Sequence, residues 1–221
     1  MKVETAEFVR SAHRREQFLR DGLPEIGFVG RSNVGKSSLM NRLLNRRGLA
    51  RTGSTPGRTR AVNYFLINRR FYFVDLPGYG FAKAPRGERQ RWAELMSEYF
   101  HRAGTAADLR TLLVHLVDAK VGATALDGEA REYFLGLGLE PLVAATKIDK
   151  LPKSRRARGL AAIRRRLELG EGEPIVAFSA VTGEGSRELW RGISTFLAPP
   201  ASPAPGRSDV LSRVRTEAGM P

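Results

Sequence analysis

The chain has 221 residues, enough for one α/β domain with a sizeable core and short extensions. Lysine plus arginine number 37 against 23 acids, a formal charge of +14, and such a surface favours a polyanionic partner, nucleic acid or an anionic membrane. Cysteine is absent, which excludes disulfides and thiolate metal sites, and the three histidines (His13, His101, His115) lack metal-ligand spacing.

In chain order, residues 1–24 are read as an N-terminal extension. Its start, MKVETAEFVRSAHRREQ, lacks the apolar core of a secretory signal. No run anywhere approaches the roughly 18 apolar residues of a membrane span, so the expected location is the cytoplasm. Glu25-Ile26-Gly27-Phe28-Val29 has the character of a short buried strand. It runs into Gly30-Arg31-Ser32-Asn33-Val34-Gly35-Lys36-Ser37, which fits the phosphate-binding pattern G-x-x-x-x-G-K-[ST] at every defined position. Ser38 to Leu44 follows, with Leu39, Leu43 and Leu44 near helical spacing. That context suits the chemistry. Glycines let amides turn inward around phosphate oxygens, and a helix N-terminus adds favourable partial charge. Lys36 would reach the β- and γ-phosphates and the Ser37 hydroxyl would ligate Mg²⁺.

Residues 47–60 are polar and glycine-rich without periodicity and read as a long loop. Strands are expected at Ala61–Ile67 and Phe71–Asp75, and the short link Asn68-Arg69-Arg70 makes them an antiparallel hairpin. Arg86–Arg102 reads as a helix with Trp92, Leu95, Met96, Tyr99 and Phe100 near one face. Thr111–Asp118 reads as a buried central strand. A helix near Leu126–Leu137, a strand Pro141–Thr146, an arginine-rich helix Ser154–Leu169, a strand Pro174–Ser179 and a helix Gly185–Leu197 complete the series. Strands alternating with helices imply an α/β, three-layer sandwich around a mostly parallel six-stranded sheet, with one antiparallel strand at an edge. From Pro199 the chain is proline-rich, and 199–221 is expected to be a disordered tail, leaving 25–198 as one domain.

Three further segments follow the phosphate loop in an informative order. Asp75-Leu76-Pro77-Gly78 closes a strand with a carboxylate that can hold Mg²⁺, while the Gly78 amide can meet a γ-phosphate. Thr146-Lys147-Ile148-Asp149 follows the fifth strand. The Asp149 carboxylate can accept from N1–H and the 2-amino group of guanine, donors that adenine lacks, and such a site rejects the wrong base strongly. Lys147 could lay its alkyl stem along the base. Ser179-Ala180-Val181 follows the sixth strand, and its amides could receive guanine O6.

Together these segments resemble the five G motifs of P-loop GTPases over about residues 25–198, and so imply a Ras-like fold. The details PEIGFVGRSNVGKSSLMN, TPGRTR, DLPGYGFA and TKID are similar to the EngB (YihA/YsxC) family of ribosome-biogenesis GTPases, of the TrmE-Era-EngA-EngB type. The resemblance implies that Gly30 to Ser38 cradle the phosphates and that Gly57-Arg58-Thr59 form the first switch, with Thr59 completing a Mg²⁺ shell of Ser37, Thr59 and Asp75. Thr146 stands where many GTPases carry Asn, and this matches the family.

Many small GTPases place Gln after D-x-x-G to orient the attacking water, but here that residue is Tyr79. In related GTPases an Asn at the position of Asn33 coordinates K⁺ beside the phosphates. Lys36, Thr59 and Asn33 are therefore the expected catalytic residues, with slow intrinsic turnover that K⁺ stimulates. The alternative for Asn33 is a loop-stabilising role. Within 154–169, Arg155, Arg158, Arg165 and Arg166 gather opposite Leu160, Ile163 and Leu167, either as a phosphate-contacting face or as a solvated one.

The implied function is a GTP-dependent switch in assembly of the large ribosomal subunit, needed for cell growth, division and septation. The implied partner is that subunit or its precursor, met by a monomer. The alternative is a GTP-dependent RNA- or membrane-binding module with little productive hydrolysis.

Overall fold

The computed structural model describes residues 1–46, 48–50, 61–80, 86–106 and 109–198. Its centre is a seven-stranded sheet in the order β1-β3-β4-β2-β5-β6-β7. The strands are β1 (Ala6–Ala12), β2 (Glu25–Gly30), β3 (Val62–Ile67), β4 (Phe71–Asp75), β5 (Thr111–Asp118), β6 (Leu142–Thr146) and β7 (Ile175–Ala177). Helices α1 (Lys36–Leu43), α2 (Arg86–Thr105), α3 (Ala125–Gly136), α4 (Lys153–Arg166) and α5 (Ser186–Leu197) connect or flank them. From β4 to β7 every neighbouring pair is parallel.

Alternation along the strands sets the layers, because successive side chains point to opposite faces. On β4, Phe71 and Phe73 join the core beneath α1 and α5, while Tyr72 and Val74 join the core beneath α2 and α3. On β5, Val114 and Leu116 face the first layer and Leu113 the second. A third cluster places Val117, Val143 and Ala145 under Ile163 of α4 and Leu167, which caps it. In α2, Leu95, Met96, Tyr99 and Phe100 are buried as the spacing predicts, and the Trp92 side chain lies outside the described residues.

The sheet differs from expectation at one edge, where it has seven strands rather than six. β1, within the segment read as an extension, pairs antiparallel with β3, so the antiparallel strand β3 is second from the edge and covered on both sides. The hairpin turn explains the docking. Asn68 and Arg69 both have positive φ (49° and 55°), as a type I′ turn requires, and the Arg70 amide closes it on Ile67 O at 3.0 Å. The Asn68 carboxamide oxygen then accepts from the Glu4 and Thr5 amides at 2.8 and 3.1 Å, and its Nδ2 donates to Lys2 O at 2.9 Å. One turn residue thus pins the start of the chain onto the hairpin.

A candidate guanine-nucleotide site at the carboxyl ends of the strands

Parallel strands deliver their carboxyl ends to one rim of the sheet, where α/β folds bind ligands. Here β2 ends at Gly30, β4 at Asp75, β5 at Asp118 and β6 at Thr146, with Phe28 beside Asp75 and Asp118 beside Thr146 in register. The three motif-bearing loops therefore meet although about 115 residues of chain separate the first from the last.

Close packing shapes the phosphate loop. A Cβ on Gly30 would stand 2.7 Å from Leu116 O and 3.0 Å from Val34 Cγ1, so only glycine fits. Gly35, with φ of 104°, makes the left-handed step into α1, and Asn33 has φ of 64°. Lys36 opens α1, is nearly buried, and pairs its ammonium with the Asp75 carboxylate, itself only 4% exposed. The lysine expected on phosphate and the aspartate expected on Mg²⁺ are therefore direct neighbours. Ser37 and Ser38 lie in the same first turn. The Val34 side chain is in the core, so only its main chain faces this rim.

The loop after β4 lies directly on the phosphate loop. The Tyr79 amide donates to Gly30 O at 3.1 Å, and the Ser32 amide to Tyr79 O at 3.2 Å. Between them Gly78 is pressed so close that a Cβ would meet Gly30 O and the Ser32 nitrogen at 3.0 Å each. Leu76 turns its side chain into the core beneath α2, and Pro77 is buried beside it.

The base loop is tied to the phosphate loop by two side chains. The buried Thr146 hydroxyl donates to Val34 O at 2.6 Å, with Val117 O a second, longer acceptor at 3.2 Å. Lys147, with φ of 57°, donates through Nζ to Asn33 O at 2.8 Å and to Asp118 Oδ2 at 2.7 Å. Its stem thus spans from the loop after β6 to the phosphate loop. Asp149 sits in the short 3-10 turn Ile148–Lys150, and its Oδ1 accepts from the buried Ser179 hydroxyl at 2.6 Å. The Ser179 hydroxyl in turn accepts from the Thr182 amide at 3.1 Å. This orders the Ser179-Ala180-Val181 loop beside Asp149 and leaves Val181 exposed.

Gly57, Arg58 and Thr59 lie outside the described residues. Sequence reasoning missed Asp118, which receives Lys147 and also the amides of Lys120 and Val121 at 2.9 and 3.3 Å. A carboxylate closing an apolar strand was the available signal, as at Asp75. It also missed a buried cluster at the edge of the site. The Tyr79 hydroxyl is 2.6 Å from His115 Nε2 and donates to Asp127 Oδ1 at 2.8 Å. Asp127 Oδ2 lies 3.2 Å from Arg31 Nε, so the Arg31 guanidinium lies against the start of α3. The signal for Asp127 was its spacing after Thr124. The two form a capping box at the start of α3, with the Thr124 amide and hydroxyl both donating to Asp127 Oδ2 at 2.7 Å. Burial drives the His115 pKa down to about 4, opposed by Asp127 and assisted by Arg131, and burial pushes the Tyr79 phenol far up.

Comparison with known proteins agrees with this geometry. Residues 25–147 match the family model described as 50S ribosome-binding GTPase. A probable GTP-binding protein EngB of Pelotomaculum thermopropionicum is 46% identical over 200 residues, covering 88% of this chain and 99% of that protein. The crystal structure of a probable GTP-binding protein engB superposes with a TM-score of 0.62 at 23% identity, covering 78% of this chain and 98% of that one, a likeness of fold. Era in complex with MgGDPNP and nucleotides 1506–1542 of 16S ribosomal RNA superposes with a TM-score of 0.61 at 25% identity, over 83% of this chain and 59% of that one. The matched region spans the phosphate loop and the strand ends packed around it, and the chain belongs to the EngB family of GTPases.

Proposed function

We propose that this GTPase is a switch in assembly of the large ribosomal subunit, binding a pre-subunit with GTP and leaving it after hydrolysis. In this reading it is a cytoplasmic monomer and supports cell growth, division and septation. Residues 25–198 are its GTP-binding domain, 1–24 an N-terminal extension and 199–221 a tail. The observation that carries the switch is the seating of Gly78 on the phosphate loop. A γ-phosphate held by Lys36 would touch both loops at once, and its loss would release one of them.

The donor set suits Mg²⁺. Ser37 and Asp75 offer a hydroxyl and a carboxylate, hard oxygen donors few enough that phosphate oxygens and water would complete an octahedron. Thr59 is proposed as the third protein ligand. When bound, the ion would neutralise charge developing between the β- and γ-phosphates. Lys36 would orient the same phosphates. The amides from Gly30 to Ser38 would cradle them, with Gly57 and Arg58 flanking Thr59 in the first switch. Thr146, Lys147, Asp149 and the Ser179-Ala180-Val181 loop would hold guanine. Because the Tyr79 hydroxyl is engaged in the buried cluster, water orientation falls to other groups. Asn33, exposed and with its carbonyl held by Lys147, is proposed to bring K⁺ beside the phosphates and so to offset a slow intrinsic rate.

The ribosomal partner is supported by the description of the matching family and by charge. On α4, Arg156 is bound to Glu184 and Arg164 to the carbonyls of Gly170 and Glu173. Arg155, Arg158, Arg165 and Arg166 remain exposed, a face suited to RNA phosphates. The apolar side of α4 is spent on the core, where Ile163 and Leu167 are buried, so it cannot enter a lipid surface. Among the described residues no helix is long and apolar enough to cross a membrane.

Sucrose-gradient sedimentation tests the reading. The protein should travel with large subunits in a non-hydrolysable GTP analogue and stay at the top in GDP. Equal distribution in both would overturn the switch. GTPase rates in K⁺ and Na⁺ at matched ionic strength test Asn33, and equal rates would remove the ion from the proposal.

A further inference from the structure

The geometry points to Tyr79 as a positioning residue: with His115, Asp127 and Arg31 it latches the end of the D-x-x-G loop to the phosphate loop, holding the Gly78 amide preset for a γ-phosphate. This rests on the reading above that Gly78 meets that phosphate. It adds the device that keeps Gly78 in place.

The proton arrangement can be assigned. The Tyr79 hydroxyl has one proton, given to Asp127 Oδ1, so the short contact with His115 must be a bond donated by Nε2. His115 Nδ1 is then bare, and it has no partner among the described residues. The ring is neutral, as its complete burial demands. Asp127 is fully buried and its second oxygen serves both the α3 cap and Arg31. The cluster therefore joins four separate pieces of chain: the phosphate loop, the loop after β4, β5 and the start of α3. Such a network is costly where a member lacks a hydrogen-bond partner, as His115 Nδ1 and Arg31 Nε do among the described residues, so the bonds that hold the pieces together are those of the Tyr79 hydroxyl and of Asp127.

Its position gives it a task. The main chain of Tyr79 bridges Gly30 and Ser32, and its side chain reaches α3, so Gly78 is clamped from its carboxyl side. The next residue, Gly80, has φ of 76°, and a Cβ there would meet Leu126 of α3 at 3.3 Å. Gly80 is the first position past the latch with the conformational freedom of a pivot.

The test is the ratio of affinities for GDP and for GMPPNP, measured by titration calorimetry on the full chain. Tyr79→Phe keeps the ring and removes the hydroxyl. It should lower the preference for GMPPNP over GDP by about tenfold, with GDP affinity itself changed less than about twofold. Arg31→Gln, which breaks the other end, should shift the ratio in the same direction. The double variant should fall no further than the worse single one, because both cut one chain of contacts. A merely structural role would weaken both nucleotides equally. Equal losses, a ratio within about twofold of wild type in Tyr79→Phe (or in Arg31→Gln if the first variant does not fold), or additive shifts would overturn the latch. Wild-type protein that binds neither nucleotide would refute the nucleotide site itself and the latch with it.

Discussion

His115 makes the stability of this fold depend on pH in a calculable way. The ring is 0% exposed on β5, packed edge-on against Phe134 and bonded to the Tyr79 hydroxyl. Burial lowers its pKa from 6.5 to about 4. An unfolded chain takes up a proton near the ordinary value, while the folded chain stays neutral over the next two units or so. The stability is thus fully present above the unfolded value and is lost as pH falls through the window between the two. Linkage gives a loss of about 2 kcal/mol between about pH 7 and 5, growing to about 3 kcal/mol near pH 4. Urea unfolding followed by circular dichroism at several pH values would measure it, with wild type set against His115→Gln, an amide that can still donate to Tyr79. Subtracting the two curves removes other titrating groups, such as Glu25 and Glu173. Wild type should lose about 2 kcal/mol more than the variant on acidification to about pH 5. If the two lose stability in parallel, the imidazole is not held neutral and the reasoning fails.

Thr146→Val keeps shape but strips the proton from the hydroxyl that reaches Val34 O and Val117 O, costing about 1–3 kcal/mol. A melt lowered by roughly 2–4 °C for each of those kcal/mol is expected, and an unchanged melting temperature would contradict the tether. Gly30→Ala drives a methyl against Leu116 O at 2.7 Å, so a loss of about 1–3 kcal/mol and weakened GDP binding should appear together in thermal shift and titration. Replacing Arg155, Arg158, Arg165 and Arg166 by Gln should reduce the slope of log K against log salt for ribosomal RNA by about 3. An unchanged slope would leave that face merely solvated.

Much of the site was legible because its chemistry is local. Gly30, Gly35 and Lys36 stand at a spacing that only a phosphate cradle requires, and the strand before them and the helix after them show in ordinary periodicity. β1 was not legible. Its alternation is broken by the bulge between Phe8 and Arg10, four of its seven residues are exposed, and it is a strand only because β3 and Asn68 pair with it. The same applies to the arginines. Helical spacing separated Arg155, Arg158, Arg165 and Arg166 from the apolar face of α4, but which arginines are bound internally depended on Glu184 and on the turn after α4.

By itself, then, the sequence determined the elements from β2 onward and their order, because each rests on contacts within a few positions of chain. Only the tertiary structure decided that Lys36 sits on Asp75, that Lys147 reaches Asp118, and that Arg31 turns from the phosphate loop to Asp127. It also decided the fate of the residue after D-x-x-G. Tyr79 reads in sequence as a missing glutamine, whereas in the fold it is the centre of a buried bond network. Those partners lie 36 and 48 residues away, and no local pattern encodes a bond that exists only when separate strands and a helix cap are packed together.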